Sequence, residues 1–252
     1  MNAMHATRRL RLDELLVARG LFVSRSRARD AVERGTVFVD GIVASKPGQN
    51  VVETASVTVD DPARHYVSRA ALKLLGGLDH FGFDPAGTNA LDVGASTGGF
   101  TQVLLERQAA HVIAIDVGHG QMNSALAADP RVTSIEGLNA RELAREHLEK
   151  TIDFIVSDVS FISLKLALPP ALDLAEPGAK AILLVKPQFE AGREAIGKGG
   201  LLRNPETADA VAEDLRLWLD AIPGWRAVAL TPSPIEGGDG NREFLLGGVK
   251  DR

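Results

Sequence analysis

The sequence predicts an α/β protein in which a doubly wound sheet follows a small N-terminal α+β domain. From Tyr66 onward, seven apolar strand candidates alternate with helical segments, which is the pattern of a doubly wound sheet. The first 65 residues have another pattern, two short helices followed by short strands. Because 252 residues suffice for one large and one small domain, we predict domains at residues 1–65 and 66–252.

The composition excludes several kinds of chemistry. The chain is 45% hydrophobic and 24% charged, as in ordinary globular proteins. It contains no cysteine, which excludes disulfides, thiolate metal sites and a cysteine nucleophile. No apolar run approaches the ~18 residues of a membrane helix, and the segment that begins at Met1 lacks the apolar stretch of a signal peptide. We therefore expect a cytoplasmic protein without membrane contact and without a metal site.

The charge of the chain is distributed unevenly. The net charge is −5, but residues 1–65 carry +2 and the remainder carries −7. Nearly all of the early cations are arginines, whose planar guanidinium groups suit phosphates. A solvated charged surface would show the same balance, so the motifs must decide between the two interpretations.

Two short helices are predicted in the first domain. Apolar residues from Leu10 to Ala18 recur at helical spacing, and Gly20 ends this first helix. Ser24 is an N-cap candidate for a second helix that closes at Gly35. The second helix presents a candidate phosphate-binding face made of Arg25, Arg27, Arg29 and Arg34.

A small sheet follows these helices. Asp40-Gly41 is a strong hairpin signal between two apolar runs, and Val57 begins a further strand. From Leu12 to Val43 the pattern resembles the RNA-binding domain named after ribosomal small-subunit protein four. The resemblance implies that the four arginines bind RNA, but it does not say what happens to the RNA. An arginine-rich helical cap or dimerisation arm is the alternative.

A glycine-rich turn follows the first strand of the second domain. Its spacing differs from the G-x-G-x-x-G dinucleotide fingerprint and is typical of Rossmann-like methyltransferases, which bind an amino-acid-bearing nucleoside. The candidate cofactor contacts in this turn are Asp92, Gly94, Ala95, Ser96, Thr97, Gly98, Gly99 and Phe100. Asp116 ends the second strand, where a carboxylate can accept ribose hydroxyls, and Asn139 can bond an adenine edge. Each signal taken separately also fits a tight turn or a helix cap.

The residues after strand Ile152–Ser157 limit the atom that can receive a methyl group. Enzymes that methylate an exocyclic base nitrogen usually have the motif (Asp/Asn)-Pro-Pro-aromatic at this point, whereas this chain has Asp158-Val-Ser-Phe. Carbon-5 methylation of a pyrimidine needs a cysteine nucleophile, which is absent. Both reactions are therefore disfavoured.

Four charged residues remain as catalytic candidates: Lys73, Asp158, Lys186 and Glu243. Together with the glycine-rich turn they resemble the K-D-K-E tetrad of FtsJ-type ribose 2′-O-methyltransferases. The N-terminal domain and the segments Ser157-Asp-Val-Ser-Phe, Val185-Lys-Pro-Gln-Phe-Glu and Gly240-Asn-x-Glu-Phe extend the resemblance to the TlyA family, from Leu10 to the end of the chain. The resemblance implies S-adenosylmethionine as cofactor, ribosomal RNA or ribosomal subunits as partner, and methylation of a cytidine ribose. Some members of this family carry the name haemolysin.

Ribose methylation requires that a weakly acidic hydroxyl lose its proton. We expect Lys186 to be the base or the group that orients the hydroxyl, because burial and a nearby second cation would favour its neutral form. Asp158 and Glu243 would position the lysines, and Lys73 would set the local field. Glu236 is the alternative to Glu243, which fits better because it directly precedes the last apolar strand.

Three other functions are compatible with parts of the sequence. Pseudouridine synthases often carry the same RNA-binding domain, but their Gly-Arg-Leu-Asp motif is absent. A non-catalytic RNA-binding protein would make the four charged positions coincidental. A pore-forming haemolysin would need a membrane-active segment, which the sequence lacks. The target nucleotide, the ribosomal subunit and the oligomeric state are left open.

Overall fold

The structure is a computed structural model that describes residues 8–238 and 240–251. The chain forms two compact units, with the division between His65 and Tyr66. The expectation about a signal peptide concerns the chain from Met1, and residues 1–7 lie outside the described residues. Among the helices that are described, none has both the length and the apolar character to cross a membrane.

The first unit contains two helices and five short strands. In chain order these are β1 (Arg9–Arg11), α1 (Leu12–Ala18), α2 (Arg25–Glu33), β2 (Val37–Val39), β3 (Ile42–Val43), β4 (Asn50–Val52) and β5 (Val57–Val59). Strand β2 pairs with both β3 and β5, which confirms the expected three-stranded sheet. Asp40 and Gly41 both have positive φ, 50° and 79°, as a two-residue hairpin turn requires.

The helices of the first unit begin at local signals. Ser24 caps α2, because its Oγ accepts a hydrogen bond from the amide of Arg27 at 3.3 Å. The prediction that Leu10 belongs to the first helix was wrong. Leu10 lies in β1, which pairs with β4, and the amide of Leu12 donates to Gln49 at 2.9 Å, so the helix begins only there.

The second unit alternates strands and helices. Its elements are α3 (Ala71–Phe81), β6 (Asn89–Val93), α4 (Gly99–Glu106), β7 (His111–Asp116), α5 (Ser124–Ala127), β8 (Val132–Glu136), β9 (Ile152–Ser157), α6 (Leu164–Ala167), α7 (Pro169–Leu174), β10 (Ala175–Val185), α8 (Pro187–Glu190), α9 (Thr207–Ala221), β11 (Trp225–Pro232) and β12 (Phe244–Lys250). Short 3-10 turns lie at Ala140–Glu142, Arg145–His147, Arg193–Ala195 and Lys198–Gly200.

The seven strands of this unit form one sheet, in the order β11-β12-β10-β9-β6-β7-β8. Strands β8, β7, β6, β9 and β10 are parallel to one another, and β12 is antiparallel to both of its neighbours. This confirms the predicted α/β fold with a Rossmann-like, doubly wound sheet. The strand order reverses between β6 and β9, so a crevice lies beyond the carboxyl ends of these two strands.

Helices cover both faces of the sheet. On one face, α3 and α4 contribute Leu74, Leu78 and Leu104 to a buried cluster. On the other face, Leu172 of α7 and Leu215 of α9 belong to a second, larger cluster. The two apolar layers hold the strand ends in place, and the polar side chains discussed below lie at those ends.

Candidate active site

The glycine-rich turn lies at the reversal point between β6 and β9. Gly94, Ser96 and Gly98 all have positive φ, 85°, 47° and 94°, so the backbone bends sharply before α4. A Cβ on Gly94 would lie 3.1 Å from backbone atoms of Asp158, so the missing side chain permits close approach of the two strand ends. The turn is thereby placed beside the residues that follow β9.

A cavity opens between this turn and the end of β10. It is lined by Ser68, Ala70, Gly94, Ala95, Ser96, Thr97, Gly99, Phe100, Asp158, Ser160 and Lys186. Six predicted cofactor residues and two predicted catalytic residues therefore share one cavity.

Asp92 is fully buried and does not line the cavity. Its Oδ2 accepts a hydrogen bond from Thr101 Oγ1 at 2.7 Å, and its Oδ1 has no hydrogen-bond partner among the described residues. Burial raises the pKa of Asp92 to about 7, with Asp158 and Asp116 adding repulsion and Thr101 opposing the shift. Asp92 is therefore a buried carboxyl group, next to the glycine-rich turn, that holds its proton more tightly than an ordinary aspartate.

Asp116 ends β7 and organises the backbone around it. Its Oδ2 accepts from the amide of Ser96 at 2.8 Å, and its Oδ1 accepts from the amide of Gly118 at 2.7 Å. A carboxylate oxygen can accept more than one bond, so both oxygens can still receive a ligand hydroxyl. Asp116 thus connects the glycine-rich turn to the loop after β7.

The loop after β7 is held from its other side by Glu136, at the end of β8. The carboxylate of Glu136 accepts from the amides of Gly120, Gln121 and Met122, at 2.6, 3.0 and 3.3 Å. These three bonds hold the pKa of Glu136 below its usual range. Asn139 follows β8 and caps a 3-10 turn, with its Oδ1 accepting from Arg141.

The four charged candidates form two ion pairs, one of them buried and the other partly exposed at Asp158. Lys73 of α3 is paired with Glu243, and both side chains are less than a tenth exposed. Lys186 Nζ lies 2.6 Å from Asp158 Oδ1, an ion pair whose angle is unfavourable for a hydrogen bond, and donates to Ser160 Oγ at 2.7 Å. The second cation was expected near Lys186, but the direct partner of Lys186 is a carboxylate.

The sheet explains why these pairs are neighbours. Val185 of β10 is paired with Phe244 of β12, so Lys186 and Glu243 lie just beyond paired positions on adjacent strands. Burial raises the pKa of Glu243, while Lys73 and then Lys186 oppose this shift. Glu236, the alternative to Glu243, is exposed and makes no ion pair with Lys73 among the described residues.

Sequence reasoning missed two features next to the pairs. Ser160 accepts the hydrogen bond from Lys186, and its place two residues after Asp158 was the available signal. Phe161 has a positive φ of 65° and is 90% exposed, and its ring packs on Phe189 with centroids 5.1 Å apart. Lys186 Nζ lies 6.0 Å from the centre of the Phe189 ring.

The four predicted arginines of the first unit differ in their contacts. Arg25 pairs with Asp13 and Glu14 at 3.0 and 3.2 Å, and Arg27 donates to the carbonyl of Ala63. Arg34 is largely buried and makes two bonds to the buried carboxylate of Asp61, at 2.7 and 2.9 Å. Arg29 is exposed, and its side chain makes no hydrogen bond or ion pair within residues 8–238 and 240–251.

Comparisons with known proteins agree with this architecture. The model of the FtsJ-like methyltransferase family matches residues 66–250, and the model of the S4 domain matches residues 10–57. The chain is 45% identical to the 16S/23S rRNA (cytidine-2′-O)-methyltransferase TlyA of Mycobacterium tuberculosis, over 95% of this chain and 89% of that one. It is 38% identical to Hemolysin A of Brachyspira hyodysenteriae, over 94% of this chain and 98% of that one.

A solved structure from Streptococcus thermophilus, named as a hemolysin, is 38% identical and superposes with a TM-score of 0.74. The superposition covers 97% of this chain and 90% of that one. The matches span both units of the chain, and the FtsJ-like match contains all four charged residues of the two ion pairs. The chain therefore belongs to the TlyA family of FtsJ-like methyltransferases, with an S4 domain ahead of the methyltransferase domain.

Proposed function

We propose that this protein is an S-adenosylmethionine-dependent methyltransferase that methylates the ribose 2′-hydroxyl of a cytidine in ribosomal RNA. Residues 1–65 would bind the RNA, and residues 66–252 would carry out the transfer in the cytoplasm, where ribosomes are found. The observation that carries the proposal is the convergence of Lys73, Asp158, Lys186 and Glu243 beside the glycine-rich turn. The substrate is taken from the M. tuberculosis relative, which the chain matches over nearly its whole length.

The residues around the glycine-rich turn fit a positively charged nucleoside. S-adenosylmethionine supplies a methyl group on a sulfonium when it is bound. Among the described residues Asp158 pairs with Lys186, whereas Asp92 and Asp116 make no ion pair and Asp92 Oδ1 accepts no hydrogen bond, so a cation bound beside the turn would offset negative charge. Asp116 would hold the ribose, and the backbone from Gly94 to Thr97 would contact the amino-acid part.

Lys186 is the residue that we assign to the reacting hydroxyl. It lines the cavity, and Asp158 and Ser160 fix its Nζ from two directions. To act as the base, Lys186 must first release a proton from its ion pair with Asp158 to solvent; its amine then takes the proton of the hydroxyl, and Asp158 stabilises the ammonium that forms. The hydrogen bond to Ser160 Oγ restricts where Nζ can lie in the cavity.

The Lys73–Glu243 pair acts as electrostatic support. Glu243 directly precedes β12, next to Lys186, where its negative charge favours the ammonium form after proton uptake. Lys73 offsets the cost of burying Glu243 and holds it in place. These two residues act on Lys186 and are assigned no contact with the RNA.

The aromatic pair Phe161–Phe189 can stack with the base of an unstacked nucleotide. Sequence-specific RNA enzymes reach a ribose by splaying out the nucleotide and stacking its base on an aromatic ring. Phe161 is almost fully exposed, lies one residue after Ser160 and is supported from behind by Phe189. We propose that the base of the target cytidine stacks on the ring of Phe161.

The decisive experiment measures methyl transfer to ribosomal RNA with purified protein and S-adenosylmethionine. Nucleoside mass spectrometry should find 2′-O-methylcytidine with the wild-type protein and none with Lys186→Ala, while both proteins bind cofactor and RNA. Methylation of a base, or transfer by Lys186→Ala at the wild-type rate, would refute the proposal.

A second substitution separates two roles of Lys186. Lys186→Arg keeps a positive charge, but a guanidinium cannot accept a proton at working pH. It should therefore fail as Lys186→Ala does. Near-native turnover of Lys186→Arg would mean that the side chain only attracts the nucleotide and that another group takes the proton.

A further inference from the structure

Glu190 is the last residue of α8, and the roles proposed above do not use it. Its carboxylate binds two neighbouring positions on another segment: Oε2 accepts from Ser163 Oγ at 2.5 Å, and Oε1 accepts from the amide of Leu164 at 2.7 Å. Ser163 caps α6, and its Oγ also accepts from the amide of Lys165 at 3.1 Å. Glu190 is half-buried, and burial raises its pKa in spite of these bonds.

The segment that Glu190 holds is the one that carries Asp158. We call residues 158–163 the β9 loop. Lys186, directly before α8, contacts the start of the β9 loop at Asp158 and Ser160, and Glu190 binds its end at Ser163. A cation directly before α8 and an anion at its last residue therefore bind the same loop at two points.

The middle of the β9 loop is strained. Phe161 has a φ of 65°, a left-handed conformation that is unfavourable for a non-glycine residue. Such a residue keeps its conformation only where its surroundings determine it, and the exposed ring of Phe161 has little packing beyond Phe189. Contacts at both ends of the loop are what can hold it.

We propose that Glu190 is a positioning residue, whose carboxylate fixes the β9 loop so that Asp158, Ser160 and Phe161 keep their places around Lys186. The inference rests on the proposed function, because the loop matters for transfer only if Lys186 meets the reacting hydroxyl. Glu190 does not line the cavity, and no hydrogen bond or ion pair joins it to Lys186 in the described residues. Its effect should therefore appear in the rate of transfer and leave cofactor affinity unchanged.

The test compares Glu190→Gln with Glu194→Gln, the same change at an exposed acid on the following segment. A glutamine presents one oxygen where the carboxylate presents two, so it must replace the bond accepted from Ser163 by a donated one, and it loses the negative charge that strengthens both bonds. The single-turnover rate of Glu190→Gln should fall roughly 10–100-fold, since small displacements of reacting groups have effects of this size. Its dissociation constant for S-adenosylhomocysteine should stay within about twofold of wild type, and Glu194→Gln should match wild type in both.

Hydrogen exchange gives a readout that does not depend on activity. In Glu190→Gln the amide of Leu164 and those of the β9 loop should exchange faster, while the amides of β9 stay protected. Ser163→Ala should slow transfer as well, and the double variant should be slowed by less than the product of the two single effects, because both changes break the Ser163–Glu190 contact.

The outcomes separate this inference from the proposed function. If the wild-type protein transfers no methyl group, the proposed function fails, and the positioning role fails with it. If the wild-type protein is active and Glu190→Gln keeps its rate or its exchange pattern, only the role of Glu190 is refuted. A parallel loss of cofactor affinity and rate in Glu190→Gln would also refute it, because that result indicates general damage to the fold.

Discussion

Lys73 and Glu243 form a buried ion pair although 170 residues separate them in the chain. Removing one partner leaves the other charge buried and unpaired, which usually costs more than the pair itself contributes. Lys73→Met and Glu243→Gln should each lower the free energy of unfolding by roughly 3–5 kcal/mol. The double variant should recover most of that loss but not the transfer rate.

Chemical denaturation and the methyl-transfer assay check this prediction on the same samples. The control is the exposed pair Arg107–Asp79, whose double substitution to Met and Asn should change stability by less than about 1 kcal/mol. A double variant that transfers methyl groups at the wild-type rate would show that the pair is purely structural.

Asp92→Asn should stabilise the protein, and more so at high pH. The pKa of Asp92 is about 7 in the folded protein, above its ordinary value near ~3.9, so the folded state holds the proton more tightly. The contribution to stability is full below about pH 4 and is lost as the pH rises towards about 7. Asparagine cannot ionise, so the gain should reach at most ~4 kcal/mol at pH 8 and shrink towards pH 4.

Denaturation of wild type and Asp92→Asn at several pH values between 4 and 8 measures this gain. Asp173→Asn, the same change at an exposed site of the same unit, should give curves parallel to wild type. If Asp92→Asn is less stable than wild type at pH 8, the Asp92 carboxylate is stabilised by contacts that burial alone does not describe.

Arg29→Glu should weaken RNA binding without affecting the fold. Arg29 is exposed and makes no ion pair within the described residues, so only its contact with phosphate should be lost. The slope of log affinity against log salt should become shallower by about one phosphate contact. Lys150→Glu is the control, because Lys150 precedes β9 and lies at the end of the sheet away from the cavity.

Arg34→Ala should destabilise the first unit. Its partner Asp61 has a pKa below the usual range because the bonds from Arg34 outweigh the effect of burial. This contribution is present above the ordinary carboxyl pKa and is lost as the pH falls through the lowered one. Arg34→Ala should cost roughly 3–5 kcal/mol at neutral pH and less in acid, as thermal unfolding can measure. An unchanged melting temperature together with lost RNA affinity would make Arg34 an RNA contact.

Asp116→Ala should weaken binding of S-adenosylhomocysteine by roughly 1–3 kcal/mol. The substitution also removes the acceptor for the amides of Ser96 and Gly118, so two causes must be separated. Calorimetry with an analogue that lacks one ribose hydroxyl does this, because the loss should be smaller for the analogue. Equal losses for both ligands would assign Asp116 to the loop alone.

The elements that the sequence predicted well are those with long, regular patterns. All seven strands of the large sheet were predicted, because each is an apolar run bounded by polar residues. Strand β1 was missed because Leu10 also fits the helical spacing of α1, and β4 was missed because Asn50-Val-Val does not alternate between polar and apolar residues. The tetrad residues were named by resemblance, but their pairing was not, because it depends on which strands become neighbours.

The arginines of the first unit also show that local sequence does not reveal a distant partner. Helical periodicity places Arg34 on the polar side of α2, and nothing local indicates its partner. The partner, Asp61, lies 27 residues later, after the last strand predicted for the first domain. A charge that binds RNA and a charge that holds the fold together look alike in sequence when the partner is distant.

The position of β12 has a consequence for how the protein is made. It lies between β10 and β11, yet it follows both of them in the chain. During synthesis β11 therefore has no neighbour in the finished sheet until β12 has left the ribosome, and the same delay applies to Glu243. Lys73 therefore lacks its partner during the synthesis of the 170 residues that lead to Glu243. The first unit has all of its own strands much earlier and can fold at once, so the ability to bind RNA should arise during synthesis before the ability to modify it.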